Sequence, residues 1–196
     1  MPQLDILDPS IFPEPLASSI QQATDLPLKF DRDLTVGSEA EVLSDNLVET
    51  IKRLNLTGTS VEAGLWLQAG QLERSHEISQ SLHDPDGSYW HAIMHRYEGD
   101  YWNSKYWLNK AGKHPVKKSL SQIIQRSEQK LSSLGVSQPS AGQLTEPSTV
   151  AQTLVDLIEK QVSGRLHCQQ QLQLLVWWEW QILMEHCCKG FGLFKS

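Results

Sequence analysis

No stretch of this 196-residue chain comes near the ~18 consecutive apolar residues that a membrane-spanning helix requires. The first ten residues, MPQLDILDPS, lack the basic start and apolar core of a cleaved secretory leader. Cysteine is scarce and odd in number: Cys168, Cys187 and Cys188. Three cysteines without a leader fit reduced thiols, and the expected location is cytoplasmic. Positive charge is also short. Seventeen lysines and arginines face 23 acids, for a net charge of −6. That balance excludes a general nucleic-acid binder. No strand-like alternation of apolar and polar residues runs far enough to argue for a sheet. Catalytic signatures are missing too. There is no G-x-S-x-G elbow, and Gly190-Phe191-Gly192 is followed by no helix, so it cannot be a phosphate-cradling loop.

What is present is unevenly distributed. Residues 1–50 hold ten acids and two bases, so the acidity belongs to the N-terminal quarter. Residues 1–37 also hold five of the nine prolines and read as an extended acidic arm, resting on the domain through Ile11, Phe12 and Leu16. From Ser38 the pattern turns helical, with Leu43, Leu47, Ile51 and Leu54 forming one stripe. Residues 60–69 and 71–82 read as a helical hairpin broken at Gly70, the first helix capped by Ser60. Asp84-Pro85-Asp86-Gly87 reads as a turn. Residues 88–98 and 100–111 read as a second hairpin, capped by Ser88, ended by Gly99 and restarted by Asp100. A helix over roughly 116–134, a Gly/Pro/Ser-rich linker near 135–148, a helix from about 150 and a last long helix over about 166–187 complete the chain. The last helix is apolar nearly all round and reads as central. The expected fold is all-α, a compact bundle of about seven to eight helices in one domain over 38–196.

The chemistry concentrates between Gly64 and Val116. Seven of the fifteen aromatic residues lie within 89–107, and five of the seven histidines are His76, His83, His91, His95 and His114. His91, His95 and Glu98 are spaced i, i+4, i+7, so they project from one helix face. Two imidazoles one turn apart and a carboxylate a turn further can hold a divalent metal such as zinc, iron or manganese, with His76 or His114 as a fourth ligand. The bland alternative is that these side chains bond neighbouring groups at a helix–helix contact. Arg96 and Lys105 can fix an anion, and Trp107 with its aromatic neighbours can form a flat wall. The expected ligand-binding set is therefore His76, His91, His95, Arg96, Glu98, Lys105 and Trp107. Glu179, inside Trp177-Trp178-Glu179-Trp180, must find a partner or carry a raised pKa.

Two resemblances arise at these residues. Gly64-Leu65-Trp66-Leu67 with Ala69-Gly70, and Gly99-Asp100-Tyr101 followed by Tyr106-Trp107, Lys110-Ala111 and Pro115, resemble the halves of a tetratricopeptide repeat. The resemblance implies helical hairpins. The strings Ser75-His76-Glu77-Ile78-Ser79-Gln80, Tyr89-Trp90-His91-Ala92-Ile93-Met94-His95-Arg96, Glu98-Gly99-Asp100-Tyr101, Asn103-Ser104-Lys105-Tyr106-Trp107 and His114-Pro115 are similar to an uncharacterised family of bacteria and fungi. That resemblance implies no particular activity.

Three functions remain open at this level. The first is a soluble binding protein whose His/aromatic pocket takes a small ligand, anionic or neutral, or a partner segment. The second is a divalent-metal-dependent hydrolase using His91, His95 and Glu98. The third is a helical protein–protein adaptor. None of them calls for nucleic acid or a membrane.

Overall fold

Glycines and capping side chains divide the chain into helices. The computed structural model of the chain describes residues 6–23, 38–127 and 144–195. Among the described residues there are nine α-helices and no strand. They are α1 (Leu16–Ala23), α2 (Ser38–Arg53), α3 (Ser60–Gln68), α4 (Leu72–Ser81), α5 (Pro85–Glu98), α6 (Tyr101–Lys110), α7 (Pro115–Arg126), α8 (Val150–Val162) and α9 (Gln169–Gly190). The all-α bundle expected from the sequence is the fold observed. No described helix is long and apolar enough to cross a membrane.

The two hairpins are built alike. Gly70 (φ 73°) turns the chain from α3 into α4, and Gly99 (φ 79°) turns it from α5 into α6. Each residue takes the left-handed conformation that glycine adopts without a Cβ penalty. Ser75 on α4 donates to the Ala63 carbonyl at 2.9 Å, and Ser104 on α6 donates to the Ala92 carbonyl at 2.7 Å, each pair twelve residues apart. An alanine facing a serine lets the paired helices approach closely. Helix α4 also packs against α5, so the hairpins stack.

Two expected caps move. Thr59, not Ser60, caps α3 by accepting from the Glu62 N–H at 3.2 Å. Helix α5 starts at Pro85, inside the expected turn. Asp84 accepts from the Gly87 N–H at 2.7 Å, and the proline at the helix start needs no partner for the N–H it lacks. Ser88, the expected cap, lies a turn into the helix. Asp100 caps α6 as expected, accepting from Asn103 N–H at 3.1 Å. The C-terminal end of α6 is closed by Lys117, whose Nζ donates to the carbonyls of Leu108 and Gly112, both at 2.8 Å.

The N-terminal segment departs from an extended arm where it is described. Pro9–Ile11 forms a 3₁₀ turn and Leu16–Ala23 a helix. Leu7, Phe12, Leu16 and Ile20 are buried. The Leu7 N–H donates to the Gln181 side chain at 3.0 Å, and Lys195 N–H donates to the Ile11 carbonyl at 2.8 Å. This segment is part of the core. Residues 24–37 and the expected linker up to residue 143 lie outside the described residues, as does the expected end of the helix after residue 127.

Helix α9 runs through the core. Trp177, Trp178 and Trp180 are all at most 2% exposed. Trp180 donates its indole N–H to the Gly64 carbonyl at 3.0 Å. A Cβ at Gly64 would sit 2.5 Å from the Trp90 ring and 2.7 Å from Met184. Glycine there lets α3 lie directly against α5 and α9.

Glu179 is 0% exposed in the middle of this apolar helix. Both partners come from α5. Arg96 donates from Nη2 to Oε2 at 2.6 Å, and the Tyr89 hydroxyl donates to Oε1 at 2.9 Å. Burial opposes the charge on Arg96, but the adjacent Glu179 carboxylate outweighs it and holds the guanidinium pKa above its ordinary value. Burial, with Glu179 beside it, pushes the Tyr89 phenol well up, so it stays a donor. Arg96→Met strips the carboxylate of its counter-charge, and unfolding in urea should show a loss of about 3–5 kcal/mol. The double variant Arg96→Met/Glu179→Leu should recover part of that loss. A single variant as stable as the parent would contradict the role given to this pair.

Candidate metal centre

Three histidines converge where the hairpins stack. His76 comes from α4, and His91 and His95 come from successive turns of α5. One ring nitrogen of each lies within 4.8 Å of the others. Ring centroids are 4.8 Å apart for His76–His91, 5.3 Å for His76–His95 and 4.7 Å for His91–His95. Ligand nitrogens around a tetrahedral ion with ~2.0 Å bonds stand roughly 3–3.5 Å apart, so the three rings must close in by up to about 1.5 Å to share one.

The surroundings differ around the three rings. His91 is 2% exposed and stacks on Trp107 at 4.0 Å and 16°. Its Nδ1 has no hydrogen-bond partner, an uncommon state for a buried polar atom. Burial, then the neighbouring His95 and His76, then Lys110, lower its pKa to about 3. His91 is therefore a neutral imidazole at ordinary pH, the form that binds a cation. His95 pairs through Nδ1 with Glu98 Oε2 at 3.0 Å. A carboxylate on Nδ1 fixes the proton there and leaves Nε2 as the free lone pair, the common outer-sphere arrangement behind a ligating histidine.

Several expected site residues are placed elsewhere. Glu98 is not the third member of the trio, because its carboxylate is engaged with His95 and His76 takes that place. Arg96 does not face a ligand. It points from the opposite side of α5 into the core, bound to Glu179. Lys105 is tied to Asp156 on α8 at 2.9 Å. Trp107 lies beside the three histidines, stacked on His91. The cation beside that stack is Lys110, whose Nζ lies 4.4 Å from the Trp107 ring centre. Sequence reasoning passed over it because it sits one helical turn beyond the aromatic cluster.

No family model matches this chain, and no curated protein and no solved structure matches it either.

His114 belongs to a second cluster, with Asp86 and His186. Its Nε2 meets Asp86 Oδ1 at 2.7 Å, and its Nδ1 accepts from the Val116 N–H at 3.3 Å, capping α7. Both nitrogens are already used, so no lone pair is left for a metal. His186 approaches the same Asp86 oxygen at 3.3 Å. Burial raises the Asp86 pKa, but the hydrogen bond from His114 and the adjacent His186 outweigh it and hold the carboxyl below its usual range. This cluster ties the starts of α5 and α7 to the end of α9. Local spacing gave no sign of it, since its members lie on three distant elements.

The cysteines do not take part in either cluster. Cys168, Cys187 and Cys188 are free and buried, and α9 separates the first from the other two. Burial pushes the Cys187 thiol up to about 12 and Cys188 higher, which disfavours the thiolate that a metal or a nucleophile needs.

The low pKa of His91 has a definite sign in stability. The unfolded chain takes up a proton near the ordinary value of 6.5, and the folded chain takes it up only near 3. The contribution is present above the unfolded pKa and is lost as pH falls from it toward 3. In metal-free protein, the urea midpoint should drop between about pH 7 and pH 5, and His91→Gln should reduce that drop. An equal drop in both proteins would contradict the assignment.

Proposed function

We propose that this protein binds a divalent transition metal through His76, His91 and His95 and presents it to a small ligand at the open coordination positions. Glu98 orients His95 from outside the coordination sphere, and Trp107 fixes the plane of His91. The observation that carries the reading is the convergence of three imidazole nitrogens around a neutral, buried His91 whose Nδ1 lacks a partner. Borderline cations such as zinc and iron suit imidazole nitrogen donors. Three protein ligands leave a position for water or a ligand group, the arrangement of catalytic and binding centres rather than of closed structural ones. A metal so held polarises what it binds, and it lowers the pKa of a bound water.

Untagged protein equilibrated with zinc and then desalted should retain about one equivalent by elemental analysis, and His76→Ala or His91→Ala should retain less than about a tenth. Glu98→Ala should weaken zinc binding about 10–100-fold while leaving the fold intact. Retention below a tenth of an equivalent by the parent protein, with zinc, iron and manganese alike, would overturn the reading.

A further inference from the structure

Four large hydrophobic side chains are exposed among the described residues, and two of them adjoin on α6 beside the histidines. Trp102 is 72% exposed and Tyr106 44%. They sit one helical turn apart, with rings parallel to within 9° and centroids 5.9 Å apart. Large aromatic faces left in water at adjacent positions mark a contact surface more often than scattered single exposures do. This surface continues to the histidines. Tyr106 meets Trp107 edge-on at 5.7 Å, and Trp107 stacks on His91. An aromatic lane thus runs from solvent to the three-histidine centre.

The charges along the lane are unbalanced. Lys110 Nζ lies 5.4 Å from the Tyr106 ring centre and 4.4 Å from that of Trp107, with no ion pair among the described residues. Trp107 is the ring stacked on His91, so the ammonium sits beside the three histidines. The other nearby cations are taken: Arg96 by Glu179, Lys105 by Asp156, and Arg74 by the Trp66 face. Two acids near the lane are engaged as well. Glu98 is bound to His95, and Asp100 holds the Asn103 side chain at 2.7 Å. Imidazole ligands bring no negative charge to a divalent ion, and Lys110 adds one more positive charge. An anionic oxygen group satisfies both.

We infer that the ligand of this site is a flat ring bearing an anionic oxygen group, with the anion set between the metal and Lys110 and the ring stacked on Tyr106 and Trp102. The inference rests on the metal reading proposed above and adds the ligand class to it. A carboxylate and a phosphate share the required chemistry, and separate probes distinguish them.

Calorimetric titration of zinc-equilibrated protein with benzoate, acetate, phenyl phosphate and inorganic phosphate tests this, with zinc content measured on the same samples. Each ring-bearing anion should bind about tenfold more tightly than its ring-free counterpart, as expected for one aromatic stack. Trp102→Ala/Tyr106→Ala alters exposed side chains. It should abolish that preference and leave the zinc content unchanged. Lys110→Met should weaken all four anions. Full zinc content with no preference for the ring, or a preference that survives the double variant, would overturn the ligand class and leave the metal reading intact. A ring preference lost in the double variant but seen in protein that holds no zinc would support the ligand class and overturn the metal reading. Absence of both would overturn both.

Discussion

A carboxylate buried among tryptophans sets the geometry of this protein. Glu179 lies in the middle of α9 with no access to water, and such a charge is tolerated only beside a counter-charge and a donor. Arg96 and Tyr89 supply them, and both are on α5. They are seven residues apart, two helical turns, and so share one face. Satisfying Glu179 therefore fixes the rotation of α5 about its own axis. His91 and His95 lie roughly 200–240° round the helix from Tyr89 at 100° per residue. They must then face away from α9, toward α4 and α6. Gly64 contributes to the same arrangement by letting α3 and α9 close on Trp90.

Two clusters rich in histidine follow from this packing, and their hydrogen bonding separates them. In the Asp86–His114–His186 cluster both nitrogens of His114 are occupied by protein groups, so it serves as a clamp between helix ends. In the His76–His91–His95 cluster, Glu98 occupies only the outer nitrogen of His95, and one nitrogen of His91 has nothing. The first cluster is chemically complete. The second leaves the buried Nδ1 of His91 without a partner. The aromatic lane of α6 adds an approach to it, with Lys110 alongside.

Much of this was legible in the sequence where local chemistry decides the outcome. Gly70, Gly99 and Asp100 mark both hairpins because their conformations and caps are set by near neighbours. The i, i+4 spacing of His91 and His95 placed them together, and the nearby hairpin suggested His76. Sequence reasoning failed where distant segments decide. Arg96 looks like a neighbour of the histidines in sequence, yet its side chain leaves α5 on the face that meets Glu179, eighty-three residues away. Lys105 is claimed by Asp156 from α8. The prolines near the N-terminus suggested an extended arm, but Pro9, Pro13 and Pro15 fall at the edges of a 3₁₀ turn and a helix whose apolar residues enter the core. Asp84-Pro85-Asp86-Gly87 resembles a turn because the same residues start helices, and only the continuation into Ser88 separates the two.

The proposed site requires His76, His91 and His95 to share one cation. Anomalous diffraction at the zinc edge from crystals of the zinc-equilibrated protein tests it directly. A single strong peak is expected about 2.0–2.1 Å from one nitrogen of each of these three histidines. A peak at Asp86, His114 and His186 instead, or none near His91, would contradict it.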